Sequence, residues 1–496
     1  MLFNSYEFLL AFLPICLVGF FLLGGAGWTR AASLWLSVLS LGFYAWWNPD
    51  PTAPWNPKYL GIIVGSIVFN YLLGVRISAA IGRGARAPAK LALTFGVTVN
   101  LAVLAYYKYA NFLADTLNAV VGTHFALGHI ALPLAISFFT FTQIAYLVDS
   151  FHGVTKEYNF RWYLLFVSFF PHLIAGPIVL YRSLMPQFAK KETWRFNPDN
   201  FAAGLSLFAF GLFKKAVIAD SLSPIANRAF GLVESGTALG VAAAWFGVFA
   251  YALQLYFDFS GYSDMAVGLG RMFNVSFPLN FDSPYKARDI VDFWRRWHIT
   301  LSSFLRDHLY IPLGGNRLGG GRRYFNLFLT MLLGGLWHGA GWNFIIWGAL
   351  HGTYLIVNHA WSRAIEKRPW AHTPPARLAG WALTFVAVLV GWVFFRAKTL
   401  PDALTLVAGM VGQHGLAGIF PGSMMDRLLV AGAAVLAFFA PNTQEIFRLA
   451  QVGKSADDTG PRHWQPSRGW AVASAVVLAA GLLQLSGVTE FLYFQF

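Results

Sequence analysis

The chain is 496 residues long, 57% of them hydrophobic and only 12% charged, where a soluble domain is roughly 45–50% apolar and about 25% charged. So little charge cannot clothe a water-facing surface, which excludes an ordinary soluble protein and points to an all-α, polytopic integral membrane protein. The 36 Lys and Arg against 22 Asp and Glu leave a net charge of +14. Those basic residues fall in the breaks between apolar runs, as loops facing anionic lipid require, which argues for the lipid bilayer and against nucleic acid as partner.

The first apolar run, 8–23, is preceded by Glu7 rather than a basic region and is not followed by a small-residue cleavage pattern, so it reads as a retained span. It also holds the single cysteine, Cys16, which excludes disulfides and multi-cysteine metal sites. Measured against the roughly 20 apolar residues that a spanning helix needs, further runs follow at 31–47, 60–77, 91–107, 130–148, 201–218, 239–257, 325–337, 342–357, 378–395, 428–440 and 470–485. The expectation is about twelve transmembrane helices. No soluble domain fits between them, so residues 1–496 form one membrane-embedded domain, with a motif-bearing core at 132–351 and outer spans at 1–131 and 352–496. Basic connections at 76–90, 182–195, 363–377 and 448–468 belong on the cytoplasmic side, and the Lys- and Arg-poor connections at 48–55, 221–235 and 412–426 on the other. This threading places both termini outside the cytoplasm.

Two regions depart from simple spans. Residues 169–177 are apolar yet hold Pro171, Gly176 and Pro177, and such backbone at membrane depth must be buried in protein or line a cavity, so a re-entrant segment is expected. Residues 289–312 alternate charge with aromatic bulk, including Trp294, Arg295, Arg296, Trp297, His298, Arg306 and Asp307, and read as helix packed on other helices or lying at the interface. No internal repeat is evident, which speaks against an alternating-access transporter.

The run 325–337 covers about 20 Å at 1.5 Å per residue, less than the roughly 30 Å hydrocarbon core. His338, which follows it, is therefore expected within the membrane's thickness, at a glycine-softened break before Trp342. An imidazole there can act as general base for acyl transfer to a hydroxyl; the plainer reading is that it hydrogen-bonds a neighbouring helix. His298 stands upstream in the polar aromatic segment and His351 in the next run. No serine sits in a nucleophile turn, and no HxxxH or HExxH spacing supports a metal. The glycine-rich stretch 314–323, with Asn316, Arg317, Arg322 and Arg323, reads either as a cradle for the phosphates of a coenzyme A donor or as a flexible basic loop.

Taken together, the runs Gln254-Leu-Tyr-Phe-Asp-Phe-Ser-Gly-Tyr-Ser-Asp-Met-Ala266, Asp292-Phe-Trp-Arg-Arg-Trp-His-Ile-Thr-Leu-Ser302, Phe304-Leu-Arg-Asp307, Tyr310-Ile-Pro-Leu-Gly-Gly-Asn-Arg317 and Gly335-Leu-Trp-His-Gly339 resemble the ordered motifs of membrane-bound O-acyltransferases. They are most similar to the branch typified by the membrane subunit of alginate O-acetylation, as are 136–141 and 170–177 upstream. The resemblance implies a ring of tilted and broken helices around a tunnel, with His338 as the catalytic residue and His298 as the second polar position. Beside it, Trp297, Arg306, Asp307 and Trp337 are expected to support the site, and the basic stretch is expected to contact the donor through Asn316, Arg317, Arg322 and Arg323. The resemblance further implies a bacterial inner-membrane protein that takes acetyl groups from acetyl-CoA and relays them for O-acetylation of an extracytoplasmic polysaccharide, with no bound cofactor or metal. Delivery to the polymer would be made by a separate periplasmic acetyltransferase of the SGNH-hydrolase type. The alternatives weighed are a D-alanyl relay of the teichoic-acid kind and a polytopic transporter or scaffold without acyltransfer activity.

Overall fold

The computed structural model describes residues 1–46, 58–128, 130–156, 158–416, 422–448, 463–485 and 492. The expected connection at 48–55 lies outside these, as do 417–421 and 449–462 of the connections at 412–426 and 448–468. Every regular element among the described residues is helical. The chain divides into two compact units, Met1–Phe208 with Met265–Pro278, and Ala209–Asp264 with Leu279–Phe496.

The first unit contains α1 (Phe8–Gly25), α2 (Thr29–Ala45), α3 (Lys58–Gly82), α4 (Arg86–Val121), α5 (Ile136–Phe151) and α6 (Phe160–Ser168). Asn70 of α3 and Asn100 of α4 exchange side-chain hydrogen bonds of 3.0 and 2.7 Å. Gln143 of α5 donates to Ser66 at 2.8 Å and accepts from the Tyr163 hydroxyl at 3.2 Å. In lipid such groups have no water to turn to, so pairing them across four helices fixes how those helices meet. The segment 169–177 breaks the helical run after α6, holds one helical turn at Phe170–Leu173 and is buried throughout. His172 within it meets the Phe166 carbonyl at 2.9 Å.

Two long helices, α7 (Pro198–Glu234) and α8 (Val241–Met272), contribute to both units. Within the second unit they cross where a Cβ on Gly261 would stand 2.7 Å from the Gly211 carbonyl oxygen. A π-helical stretch, Phe213–Ala219, turns Lys214 and Lys215 onto α8 on either side of that crossing. Lys214 Nζ meets Asp264 at 2.7 Å, and Lys215 Nζ meets Asp258 at 2.9 Å and also Asp220.

The second unit continues with α9 (Ile290–Arg296), α10 (Ile299–Leu305), α11 (Gly320–His338), α12 (Trp342–Ile365), α13 (Pro374–Arg396), α14 (Leu400–Met410), α15 (Met424–Phe439) and α16 (Arg468–Leu483). Helices α11 and α12 form a hairpin whose backbones touch: a Cβ on Gly348 would lie 2.5 Å from the Met331 carbonyl oxygen, and one on Gly335 would collide with the Phe344 carbonyl. Small residues at such a crossing are the usual means of close helix approach in membranes.

Six helices among the described residues, α1, α3, α4, α7, α8 and α13, are long and apolar enough to cross a bilayer. Of the other expected runs, those at 31–47, 130–148, 428–440 and 470–485 yield helices of 17, 16, 16 and 16 residues. Helix α11 has 19 residues, about 28 Å at 1.5 Å per residue, because residues 320–324 extend the apolar run. Run length therefore no longer sets the depth of His338, and burial takes its place: the side chain is 9% exposed. Leu91 and Val120 of α4 and Phe439 of α15 are more than 70% exposed, as lipid-facing positions are.

Candidate active site

The polar aromatic segment folds as two short helices with a sharp break. Asp289 caps α9 by accepting from the backbone N–H groups of Val291 and Asp292, both at 2.8 Å. Arg296 ties the helix end to Asp292 at 2.8 Å and to the Asp282 carbonyl at 3.1 Å. His298 then takes a left-handed backbone conformation, φ 42° and ψ 55°, a region a non-glycine residue occupies only when its surroundings hold it there. Asn280 supplies the hold: its carbonyl accepts from Ile299 N at 2.9 Å and its side-chain oxygen from the Thr300 hydroxyl at 2.6 Å.

This bend places the His298 ring 4.8 Å from Phe259 and 6.4 Å from Trp337, centroid to centroid. It is 1% exposed, and neither ring nitrogen has a hydrogen-bond partner among the described residues. His298 lies between spanning helices, and burial pushes its imidazole below the ordinary range, which keeps it neutral. His338 ends α11 with Trp337 at 4.9 Å, Trp347 at 5.0 Å and Phe395 at 5.2 Å. The turn that follows admits only glycine at 339, since a Cβ there would enter the Phe344 ring. His351 sits on the far side of Trp347 at 4.7 Å. Three imidazoles are thus interleaved with two indoles, all in the second unit. Trp297 braces them, 4.9 Å from Trp392 and 5.7 Å from Phe293.

A cavity of about 560 Å³ opens beside this row. Its apolar wall includes Ile299, Leu327, Met331 and Leu355; Arg295, Arg306, Arg323 and His359 supply the cationic and polar groups, and no carboxylate among the described residues lines it. Arg323 donates to His359 Nδ1 at 3.1 Å, which requires the tautomer that carries its proton on Nε2. Of the arginines expected to meet a donor, only Arg323 reaches this cavity. Asn316 and Arg317 are exposed on the loop, and Arg322 lies over the Phe325 ring at 5.2 Å. Arg306 does line the cavity, while its neighbour Asp307 pairs with it at 2.7 Å. Arg295 was not among the expected donor contacts, although its place in the alternating segment was a usable signal. Lys214, Lys215, Asp258 and Asp264 were also overlooked as buried charges; two lysines inside the run 201–218 were the signal. Among the described residues no three His, Cys, Asp or Glu side chains gather to hold a metal ion.

Six long apolar helices, a buried imidazole at the end of α11 ringed by aromatic groups, and a cation-lined cavity on the same helix define the class, a multi-pass membrane protein. The family model for membrane-bound O-acyltransferases matches residues 150–400. The chain is 45% identical to the peptidoglycan O-acetyltransferase of Helicobacter pylori over 84% of its own length and 81% of that protein's. It is 47% identical to the probable alginate O-acetylase AlgI of Azotobacter vinelandii over 83% and 78%, and 43% identical to that of Pseudomonas syringae over 99% and 90%. The chain belongs to the membrane-bound O-acyltransferase family, in its alginate O-acetylase-like branch, and is an O-acyltransferase.

Proposed function

We propose that this chain takes acetyl groups from acetyl-CoA on the cytoplasmic side of a bacterial inner membrane and passes them on for O-acetylation of an extracytoplasmic polysaccharide such as alginate or peptidoglycan. The observation that carries this reading is that one helix, α11, both lines the arginine-bearing cavity, through Arg323, Leu327, Thr330 and Met331, and ends in His338. Arg323 and His338 lie near opposite ends of α11, some 22 Å apart at 1.5 Å per residue, a separation that suits a donor with phosphates at one end and a thioester at the other. Support for the cytoplasmic side comes from Arg363, which donates to the Tyr324 hydroxyl at 3.2 Å beside the cavity's Arg323 and opens the basic connection 363–377. Both termini are then periplasmic, and final delivery to the polymer falls to a separate periplasmic acetyltransferase of the SGNH type.

In the chemical step the acceptor's hydroxyl oxygen attacks the thioester carbonyl carbon, forming a C–O bond as the C–S bond breaks. His338 takes the hydroxyl proton and returns it to the departing thiolate, so that an ester and free CoA result. Neutral His298 donates a hydrogen bond to the carbonyl oxygen as negative charge develops there. Aromatic walls exclude the water that would otherwise hydrolyse the thioester. Purified protein incubated with acetyl-CoA labelled in the acetyl group tests the proposal. It requires CoA release together with label on the protein, its partner or the polymer; none of these three appearing would overturn it.

A further inference from the structure

His359 takes no part in the chemical step, yet it lines the cavity together with Arg295, Arg306 and Arg323. It stands on α12 one helical turn before Arg363, and the two residues meet the beginning of α11 as a pair. Arg323 donates to His359 Nδ1 at 3.1 Å, and Arg363 donates to the Tyr324 hydroxyl at 3.2 Å. Both contacts tie α11 to α12 at the end of the hairpin away from Gly339. Of these four residues, Arg323 and His359 are the two that line the cavity.

The kind of acceptor that Arg323 meets decides what the arginine can do. Arg306, in the same wall, is tied to the carboxylate of Asp307 at 2.7 Å, whereas Arg323 meets an imidazole. A carboxylate directs a guanidinium and offsets its charge; a neutral acceptor directs it and leaves the charge for an incoming anion. A leucine at 359 would let the long Arg323 side chain spread over its rotamers, and ordering it would then weaken ligand binding. Imidazole meets both needs while it is neutral. Burial opposes its protonation, as do the charges of Arg323, Arg363 and Arg295, while Asp289 favours it, and the balance holds its pKa below the ordinary histidine range.

We propose that His359 is a positioning residue for the donor, holding the Arg323 guanidinium in the cavity wall with its charge intact to meet the donor's phosphates. The inference rests on the acyl-transfer reading above and adds to it a residue that acts through Arg323. CoA release from acetyl-CoA by the purified full-length protein, with hydroxylamine as acceptor and the uncatalysed reaction subtracted, tests it. His359→Leu should raise KM about fivefold or more and leave kcat within about twofold. His359→Gln, whose side-chain oxygen is a neutral acceptor, should keep KM within about twofold of wild type. His359→Glu, which accepts the same bond but offsets the charge, should raise KM at least as much as His359→Leu. In an Arg323→Gln background, adding His359→Leu should raise KM no further, because nothing is left to position. A purely structural role would instead lower kcat in every variant and add to the effect of Arg323→Gln. Additive effects, a loss confined to kcat, an unchanged KM in His359→Leu, or a glutamate variant performing like the glutamine one would overturn the proposal. Should His359→Leu not fold, the near-isosteric glutamine and glutamate variants decide it by themselves. Wild-type protein that releases no CoA fails the acyl-transfer reading instead, a separate outcome that removes both.

Discussion

Replacing Lys215 by methionine should be among the most damaging single changes outside the histidine row. The Lys215 side chain is 1% exposed and its partner Asp258 2%, with Nζ 2.9 Å from the carboxylate. The substitution leaves Asp258 charged in an apolar interior, held among the described residues only by the backbone N–H of Leu492 at 3.2 Å. Stranding one member of a buried pair costs about 3–5 kcal/mol. Asp258→Asn should cost less, because Lys215 keeps Asp220. Replacing both, Lys215→Met with Asp258→Asn, closes the cycle: it removes the charge on Asp258, leaves only the less buried Asp220 without Lys215, and should return most of the lost stability. The exposed pair Arg228–Asp426, 3.4 Å apart with the arginine 51% exposed, provides the contrast, since its loss should cost about 0–1 kcal/mol. Reversible unfolding in mixed micelles, read by tryptophan fluorescence for all four variants, measures the cycle. A Lys215→Met protein within about 1 kcal/mol of wild type, or a double variant as unstable as the sum of the singles, would refute the claim that this pair is desolvated.

His298 sits at φ 42°, a conformation asparagine tolerates better than glutamine or alanine, so acetyl transfer should decline in the order wild type, His298→Asn, His298→Gln, His298→Ala; a glutamine variant outperforming asparagine would contradict the backbone argument. Because burial lowers the folded-state pKa of His298, the unfolded chain binds the extra proton first, so its contribution is present above about pH 6.5 and is lost as pH falls, at up to roughly 1.4 kcal/mol per unit. Wild type should therefore lose stability relative to His298→Asn on acidification from pH 7 to 5, and parallel curves would refute the shift. Replacing Arg295 and Arg323 together by glutamine should raise the KM for acetyl-CoA about tenfold or more with a smaller effect on kcat. The pair Arg317→Gln and Arg322→Gln, outside the cavity, should change KM less than twofold, and the reverse ranking would return donor binding to the glycine-rich loop.

Much of the site was legible because its motifs carry their chemistry in a short stretch. Trp337-His338-Gly339 announces an imidazole at a helix end, and the glycine proves to be forced by Phe344. Other features depend on partners distant in the chain. The left-handed turn at His298 needs Asn280, which no local pattern marks, and Arg295 and Arg306 join Arg323 only because α9, α10 and α11 converge on one cavity. The lysines of α7 were hidden by the apolar run around them, and a π-helical stretch turns both onto α8. Span counting met a similar limit, because runs of similar hydropathy end as helices of 16 or 17 residues in some places and 25 or more in others.

The central claim is that His338 moves the proton in acetyl transfer, and polymer-bound acetate in cells carrying His338→Gln tests it most directly. Glutamine keeps hydrogen-bonding capacity near the size of the imidazole but cannot accept a proton at neutral pH. Removing a general base should lower the rate about 10²–10⁴-fold, so polymer acetylation should be abolished while the variant inserts in the membrane at wild-type abundance and purifies as a monodisperse species. Wild-type acetylation by such a protein would contradict the account, leaving His338 as a packing residue and moving the search for the base to His298 or His351.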